Sequence, residues 1–132
     1  MLVKFWKHRD SITIHLEVSD VFEVSRMELL DFITVLSIFL DNAIEASLDS
    51  SAKEVNIALI SGETKVVIVE NTIAQESINT VGIFKLGRSS KGDGRGLGLY
   101  KIQQLLEKYP KTTVSTKSAN YRFTQSLTFW KE

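Results

Sequence analysis

Between Gly87 and Gly96 the chain reads GRSSKGDGRG, a run so dense in glycine and small polar residues that it predicts a mobile surface loop. Its side chains suit phosphate, because Ser89, Ser90, Lys91 and Arg95 can all donate hydrogen bonds to phosphate oxygens. Two phosphate-binding templates fail on it. A P-loop needs Gly, four residues, then Gly-Lys-Ser/Thr; Gly87 and Gly92 have the spacing, but Asp93 stands where the lysine belongs. A dinucleotide fingerprint needs G-x-G-x-x-G, whereas Gly92, Gly94, Gly96 and Gly98 alternate strictly and Leu97 and Leu99 fall at its third glycine. What survives is physical: glycines opening a helix leave its first N–H groups uncrowded, so the helix start can hold phosphate oxygens.

The second segment with chemical potential is LDNAIEA, Leu40 to Ala46. At roughly 100° per residue, Asn42 projects off the centre of its helix's apolar stripe. An amide oxygen there suits Mg²⁺, which prefers hard oxygen ligands and keeps several waters. A metal-ligating oxygen and a phosphate cradle are the two parts that a Mg–ATP site requires. Asn42 alone reads more simply as a cap or bridge, and it gains meaning from the glycine run about fifty residues on.

Positioning these two segments takes a folded core, and the composition allows one. The 132 residues are 43% hydrophobic and 24% charged, which suits a single domain over 1–132. Lys plus Arg and Asp plus Glu number 16 each, so no overall positive field draws in nucleic acid or an acidic membrane. Without cysteine there are no disulfides or thiolate metal sites, and the cytosol is the preferred compartment. The longest apolar stretch, Phe32 to Leu40, lies between Asp31 and Asp41 and is far shorter than the roughly 20 residues that span a bilayer. Met1 to Asp10 shows charges among scattered hydrophobes and no export signal.

Ile12 to Val18 alternates apolar and polar residues as a strand does. From Met27 to Ser47, Leu29, Phe32, Ile33, Leu36, Leu40 and Ala43 recur at helical steps, with Ser25 as the expected cap and Glu28 three residues on. Val55 to Ile60 and Lys65 to Glu70 predict a hairpin turning at 61–64. Leu97, Ile102, Leu105, Leu106 and Tyr109 predict a second helix ended by Pro110. Thr112 to Thr116 and Tyr121 to Phe129, joined by 118–120, predict a closing hairpin with Tyr121, Phe123, Leu127 and Phe129 on one face. Gln125 interrupts that face and is expected to be satisfied by backbone. The order packs most simply as an α/β two-layer sandwich, a mixed sheet with helices on one face.

LDNAIEA resembles the N-box, and GRGLGL (Gly94 to Leu99) the G2 box, of the GHKL ATPases, whose Bergerat fold binds ATP. More narrowly, DNAIEA with VENT (Val69 to Thr72) and GRSSKGDGRGLGLYKI (Gly87 to Ile102) resembles the peptide-pheromone-sensing histidine kinases of the Agr and Com receptor type. The resemblance runs from about Ile12 to Phe129. It implies that Asn42 is the magnesium ligand and that Ile83-Phe84 is the F-box, with Phe84 near the nucleotide. It further implies that Lys85 to Arg95 is the ATP lid, with Ser89, Ser90 and Lys91 toward the phosphates, and that Gly94, Arg95, Gly96, Leu97, Gly98 and Leu99 form the phosphate-binding box. Asn71 stands where the family's adenine-binding aspartate would be.

Three departures shape the expected activity. Asn71, followed by Ile73 and Gln75 in place of glycines, offers adenine a neutral hydrogen bond of about 0.5–1.5 kcal/mol instead of a charged one of about 1.5–3, so affinity should be weak. Ile38 occupies the position of the water-activating base, which favours transfer to an already nucleophilic imidazole over hydrolysis. Glu45 replaces a basic residue near the phosphates. The acceptor histidine is expected on a separate dimerisation domain of the same receptor, with a response regulator downstream, since His8 and His15 do not sit on a long helix. The chain then supplies no catalytic residue for autophosphorylation and serves as the cytosolic ATP-binding part of a membrane-anchored receptor. Rival readings are a GHKL serine kinase of the anti-sigma type and a degenerate docking domain.

Overall fold

Alternating and β-branched runs become strands, and the two apolar stripes of period 3.6 become helices. The computed structural model describes residues 2–9, 12–19, 22–24, 26–80 and 95–131, with side chains for 12–19, 22–24, 26–80 and 98–131. In chain order the elements are β1 (Leu2–Arg9), β2 (Ile12–Ser19), α1 (Leu29–Leu48), β3 (Glu54–Ile60), β4 (Lys65–Thr72), α2 (Arg95–Leu106), β5 (Thr112–Ala119) and β6 (Arg122–Phe129). They form one six-stranded sheet of order β1-β2-β3-β4-β6-β5. β2 and β3 pair in parallel across the α1 crossover, and the other neighbours are antiparallel. The expected two-layer arrangement, a mixed sheet carrying helices on one face, is the one observed.

The period of two along each strand decides which residues meet the helices. Val55, Val67, Val69, Leu127 and Phe129 join Ile12 in one core with Phe32, Val35, Phe39 and Ala43 of α1 and Leu99, Ile102 and Leu106 of α2. The buried line of α1 is Phe32, Val35, Phe39, Ala43 and Ser47, in steps of three and four. Leu29 and Ile33, expected in that stripe, are 64% and 47% exposed. The reason is angular: Ile33 follows Phe32 by about 100° and so leaves the core line. The cap also differs, for the N-cap of α1 is Glu28, extended and without a side-chain cap bond. Ser25 lies outside the described residues.

Two further elements depart from expectation. Leu2–Arg9, where no strand is expected, forms edge strand β1, with Val3 opposite Val18 and Phe5 opposite Leu16. Its charges hide the period in the sequence, yet charge is what an edge strand tolerates and uses against unwanted pairing. The β5–β6 turn is Asn120-Tyr121, both at positive φ, 53° and 63°, the signature of a two-residue hairpin turn. Tyr121 is therefore a turn residue, 55% exposed, and not part of the buried strand face. Backbone bonds hold it in this conformation: its N–H donates to Glu76 O at 2.8 Å and its carbonyl accepts from Ile73 N at 3.0 Å.

Candidate functional site

Helix α1 carries Asn42 immediately before the buried Ala43, so its side chain is half-buried on the flank of the apolar stripe. Ile38 lies one helical turn earlier, on the same side of α1. Against it rests α2: a Cβ built on Gly98 would stand 3.2 Å from Ile38 Cγ2, inside ordinary van der Waals separation. Glycine is what allows the first turn of α2 to settle there. Leu99, Ile102 and Leu106 then anchor α2 in the core. The leucine of the box that the structure describes in full, Leu99, is thus a packing residue whose side chain faces the core.

The start of α2 corrects one expectation. Arg95 and Gly96 were expected in the loop, and their backbones are helical. The N–H groups of a first helical turn need no intrahelical partner, so glycine is tolerated there. Phe84, Ser89, Ser90, Lys91 and Gly94 lie outside the described residues, as do the side chains of Arg95 and Leu97.

Asn71, the penultimate residue of β4, faces the helix side, opposite Val55 on β3 and Phe123 on β6. It is 2% exposed, and its Nδ2 donates to Thr72 O at 3.0 Å. The chain that follows is tied to the β5–β6 hairpin through the Tyr121 bonds and through Ile78 N–H donating to Ser118 Oγ at 2.9 Å. Its neighbour Glu70 points to the other face, where Arg122 Nη1 and Asn56 Nδ2 each reach its Oε1 at 3.2 Å. The strand end therefore offers the helix side a neutral amide.

One positioning cluster was not recognised from sequence. Thr72 Oγ1 accepts from Glu54 N–H at 3.0 Å and meets Ser50 Oγ at 2.6 Å. Ser50 Oγ in turn donates to Ser47 O at 2.6 Å and accepts from Lys53 N–H at 3.0 Å. These buried hydroxyls clip the end of β4, beside Asn71, to the end of α1, which carries Asn42. The hint in the sequence is the pair of serines closing the first helix and the threonine of VENT.

A second clamp fixes the far ends of the helices. Tyr109, just past α2, donates to Asp31 Oδ2 at 2.5 Å and accepts from Glu28 N–H at 3.2 Å, while Lys108 Nζ stands 3.1 Å from the same carboxylate oxygen. The Tyr109 hydroxyl and then Lys108 hold the Asp31 carboxyl below its usual range, and the hydrogen bonds to Asp31 raise Lys108 and Tyr109 in turn. Neither histidine is on a helix: His8 lies in β1 and His15 in β2.

Residues 27–130 match the family described as the GHKL domain. The chain belongs to the GHKL family. The fold of this GHKL domain is similar to the nucleotide-free catalytic domain of histidine kinase ThkA, at TM-score 0.62 and 20% identity over 89% of this chain and 71% of that one. It is similar also to the histidine kinase AdeS of Acinetobacter baumannii, at TM-score 0.66 and 18% identity over 90% of this chain and 54% of that one. The histidine kinase domain from the blue-light activated histidine kinase of Erythrobacter litoralis matches at TM-score 0.65 and 18% identity, over 92% of this chain and 55% of that one. The chain thus spans about half the length of the last two. No curated protein sequence matches it.

Proposed function

We propose that this GHKL domain binds Mg–ATP between α1 and α2 and passes the γ-phosphate to a histidine on a separate dimerisation domain of the same receptor. In that reading it is the catalytic part of a two-component, quorum-sensing sensor kinase of the peptide-pheromone type, signalling to a response regulator. The observation that carries the proposal is the seat of Gly98 on Ile38, one helical turn from Asn42. That seat supports a site in which the glycine-punctuated start of α2 and the amide of α1 act on one ligand.

The residues present fit such a ligand. Among the described residues no cluster of three His, Cys, Asp or Glu side chains could hold a metal by itself. A Mg²⁺ ion here would come with its nucleotide, taking the Asn42 amide oxygen as protein ligand and filling the rest of its shell with phosphate oxygens and water. When bound, it would neutralise charge on the phosphates. The helix start at Arg95 to Gly98 supplies backbone N–H groups to the phosphate oxygens, and Lys91, Ser89, Ser90 and Arg95 are the lid donors. The Asn71 amide, near the β4 end, would accept from the adenine amine. Asp41 and Glu45 flank Asn42, and their negative charge opposes a bare triphosphate, a second reason for weak binding.

Ile38 bears on the acceptor. Its side chain is occupied in packing against Gly98 and carries no base, so the site does not activate a hydroxyl or water from that position. A neutral imidazole needs no such help. Among the described residues no helix is long and apolar enough to cross a membrane, and the proposed anchor belongs to another part of the receptor. The test is transfer of labelled phosphate from ATP. The domain alone should not label itself, and a histidine-bearing dimerisation domain added in trans should acquire acid-labile phosphate. Acid-stable label on serine would support the anti-sigma alternative instead, and failure to bind any adenine nucleotide at millimolar concentration would support the docking alternative.

A further inference from the structure

We propose that Gln125 is a specificity-determining residue of the nucleotide site, reading the edge of adenine together with Asn71. The inference rests on the reading above that the site takes ATP. On β6, Phe123, Gln125, Leu127 and Phe129 all face the helices and are all buried. Gln125 is 2% exposed, and its Nε2 has no hydrogen-bond partner, although the sequence led us to expect a backbone one. Its cross-strand neighbours are Val69 on β4 and Thr116 on β5.

A buried amide nitrogen without a partner destabilises the protein relative to an apolar side chain of similar volume. A methionine would fill the same space between Val69 and Leu127 without that loss. Gln125 therefore contributes a donor that the fold itself leaves unused. Its place says what the donor is for. Asn71 opposes Phe123, so Gln125 is the diagonal neighbour of Asn71 on the same sheet face, at about 7–8 Å between strands.

The two amides present complementary chemistry. Asn71 Nδ2 is committed to Thr72 O, which turns its oxygen into the acceptor. Gln125 Nε2 is a donor. The edge of adenine offers an amine donor beside a ring-nitrogen acceptor, which matches that pair. Hypoxanthine offers a carbonyl acceptor beside a ring N–H donor, the reverse pattern, and a buried polar pair discriminates by leaving the wrong partner unsatisfied.

The test compares the wild-type domain, Gln125→Met and Asn42→Ala for binding of a nonhydrolysable ATP analogue and its inosine counterpart with Mg²⁺, alongside thermal melting without nucleotide. Gln125→Met should melt higher than wild type while binding the ATP analogue roughly tenfold more weakly and losing preference over the inosine analogue. Gln125→Leu serves as a second variant of the same sign. Unchanged ATP affinity or unchanged preference in Gln125→Met overturns the proposal. So does a lower melting temperature in both variants, which would make the amide a structural one. Mg–ATP binding that is lost in Asn42→Ala and kept in Gln125→Met refutes the role of Gln125 alone. A wild-type domain that binds neither nucleotide refutes the site with it.

Discussion

At Gly98 a Cβ would be crowded by one neighbour, the side chain of Ile38. Replacing the glycine with valine forces branched methyls against Ile38, whose Cγ2 already lies 3.2 Å from an ideal Cβ. We expect Gly98→Val to tilt the first turn of α2 away from α1 and to weaken binding of an ATP analogue at least tenfold. Adding Ile38→Ala should recover much of the loss, because the two changes share one contact and are not additive. Titration calorimetry on the single and double variants reads this directly. At the other end of the site, Thr72→Val keeps the shape and removes the hydroxyl that Glu54 N–H and Ser50 use. Chemical denaturation should show a loss of about 1–3 kcal/mol, the penalty of buried groups left unpaired. Asn42 and Gly98 stand out in the sequence because their residue types and spacing suggest the proposed chemistry. Ser50 and Thr72 do not, since their meeting depends on how β4 registers against the turn between α1 and β3. Gln125 was noticed as an interruption of an apolar face, but its missing partner became visible only with the strands assembled.

The helices are held relative to each other at two points, the Gly98–Ile38 seat and the clamp of Asp31 with Tyr109 and Lys108. The clamp carries a pH signature. The carboxyl of Asp31 is held low, so its contribution is present above its unfolded pKa and fades as pH falls through the folded value. Lys108 and Tyr109 are raised, so their contributions are present below their unfolded pKa values and fade as pH rises through the raised ones. Tyr109→Phe and Asp31→Asn should therefore each lower Tm at neutral pH. The deficit of Asp31→Asn relative to wild type should begin to shrink as pH falls below about 4, where the unfolded carboxyl takes up its proton, and should go on shrinking toward the lower folded value. Melting curves across pH check both. At this scale, strands β2, β3, β4 and β6 and both helices follow from hydrophobic period alone. The misses are elements whose local chemistry is overruled: β1, whose Lys4, Lys7 and Arg9 break the pattern, and the Asn120-Tyr121 turn, which no glycine announces. The tyrosine adopts positive φ because residues 73–76 bind its backbone on both sides, a long-range cause.

For the whole molecule, one core supports both halves of the site, so core damage and site damage should be separable by their readouts. Phe39 of α1 is fully buried in the core that the sheet and both helices share. Phe39→Ala should cost about 3–5 kcal/mol, a large share of the roughly 5–15 kcal/mol that holds a domain together. That variant should lose folding cooperativity and nucleotide binding at once, whereas Asn42→Ala should lose binding and melt like wild type. The two-layer layout was legible because a strand-helix-hairpin-helix-hairpin order has few ways to bury its apolar faces. The central claim is that Asn42 and the start of α2 act on one Mg²⁺-chelated nucleotide. Isothermal titration of the domain with a nonhydrolysable ATP analogue tests it most directly. The account predicts binding that requires Mg²⁺ and is greatly weakened in a folded Asn42→Ala variant; equal affinity in that variant, or binding indifferent to Mg²⁺, would contradict it.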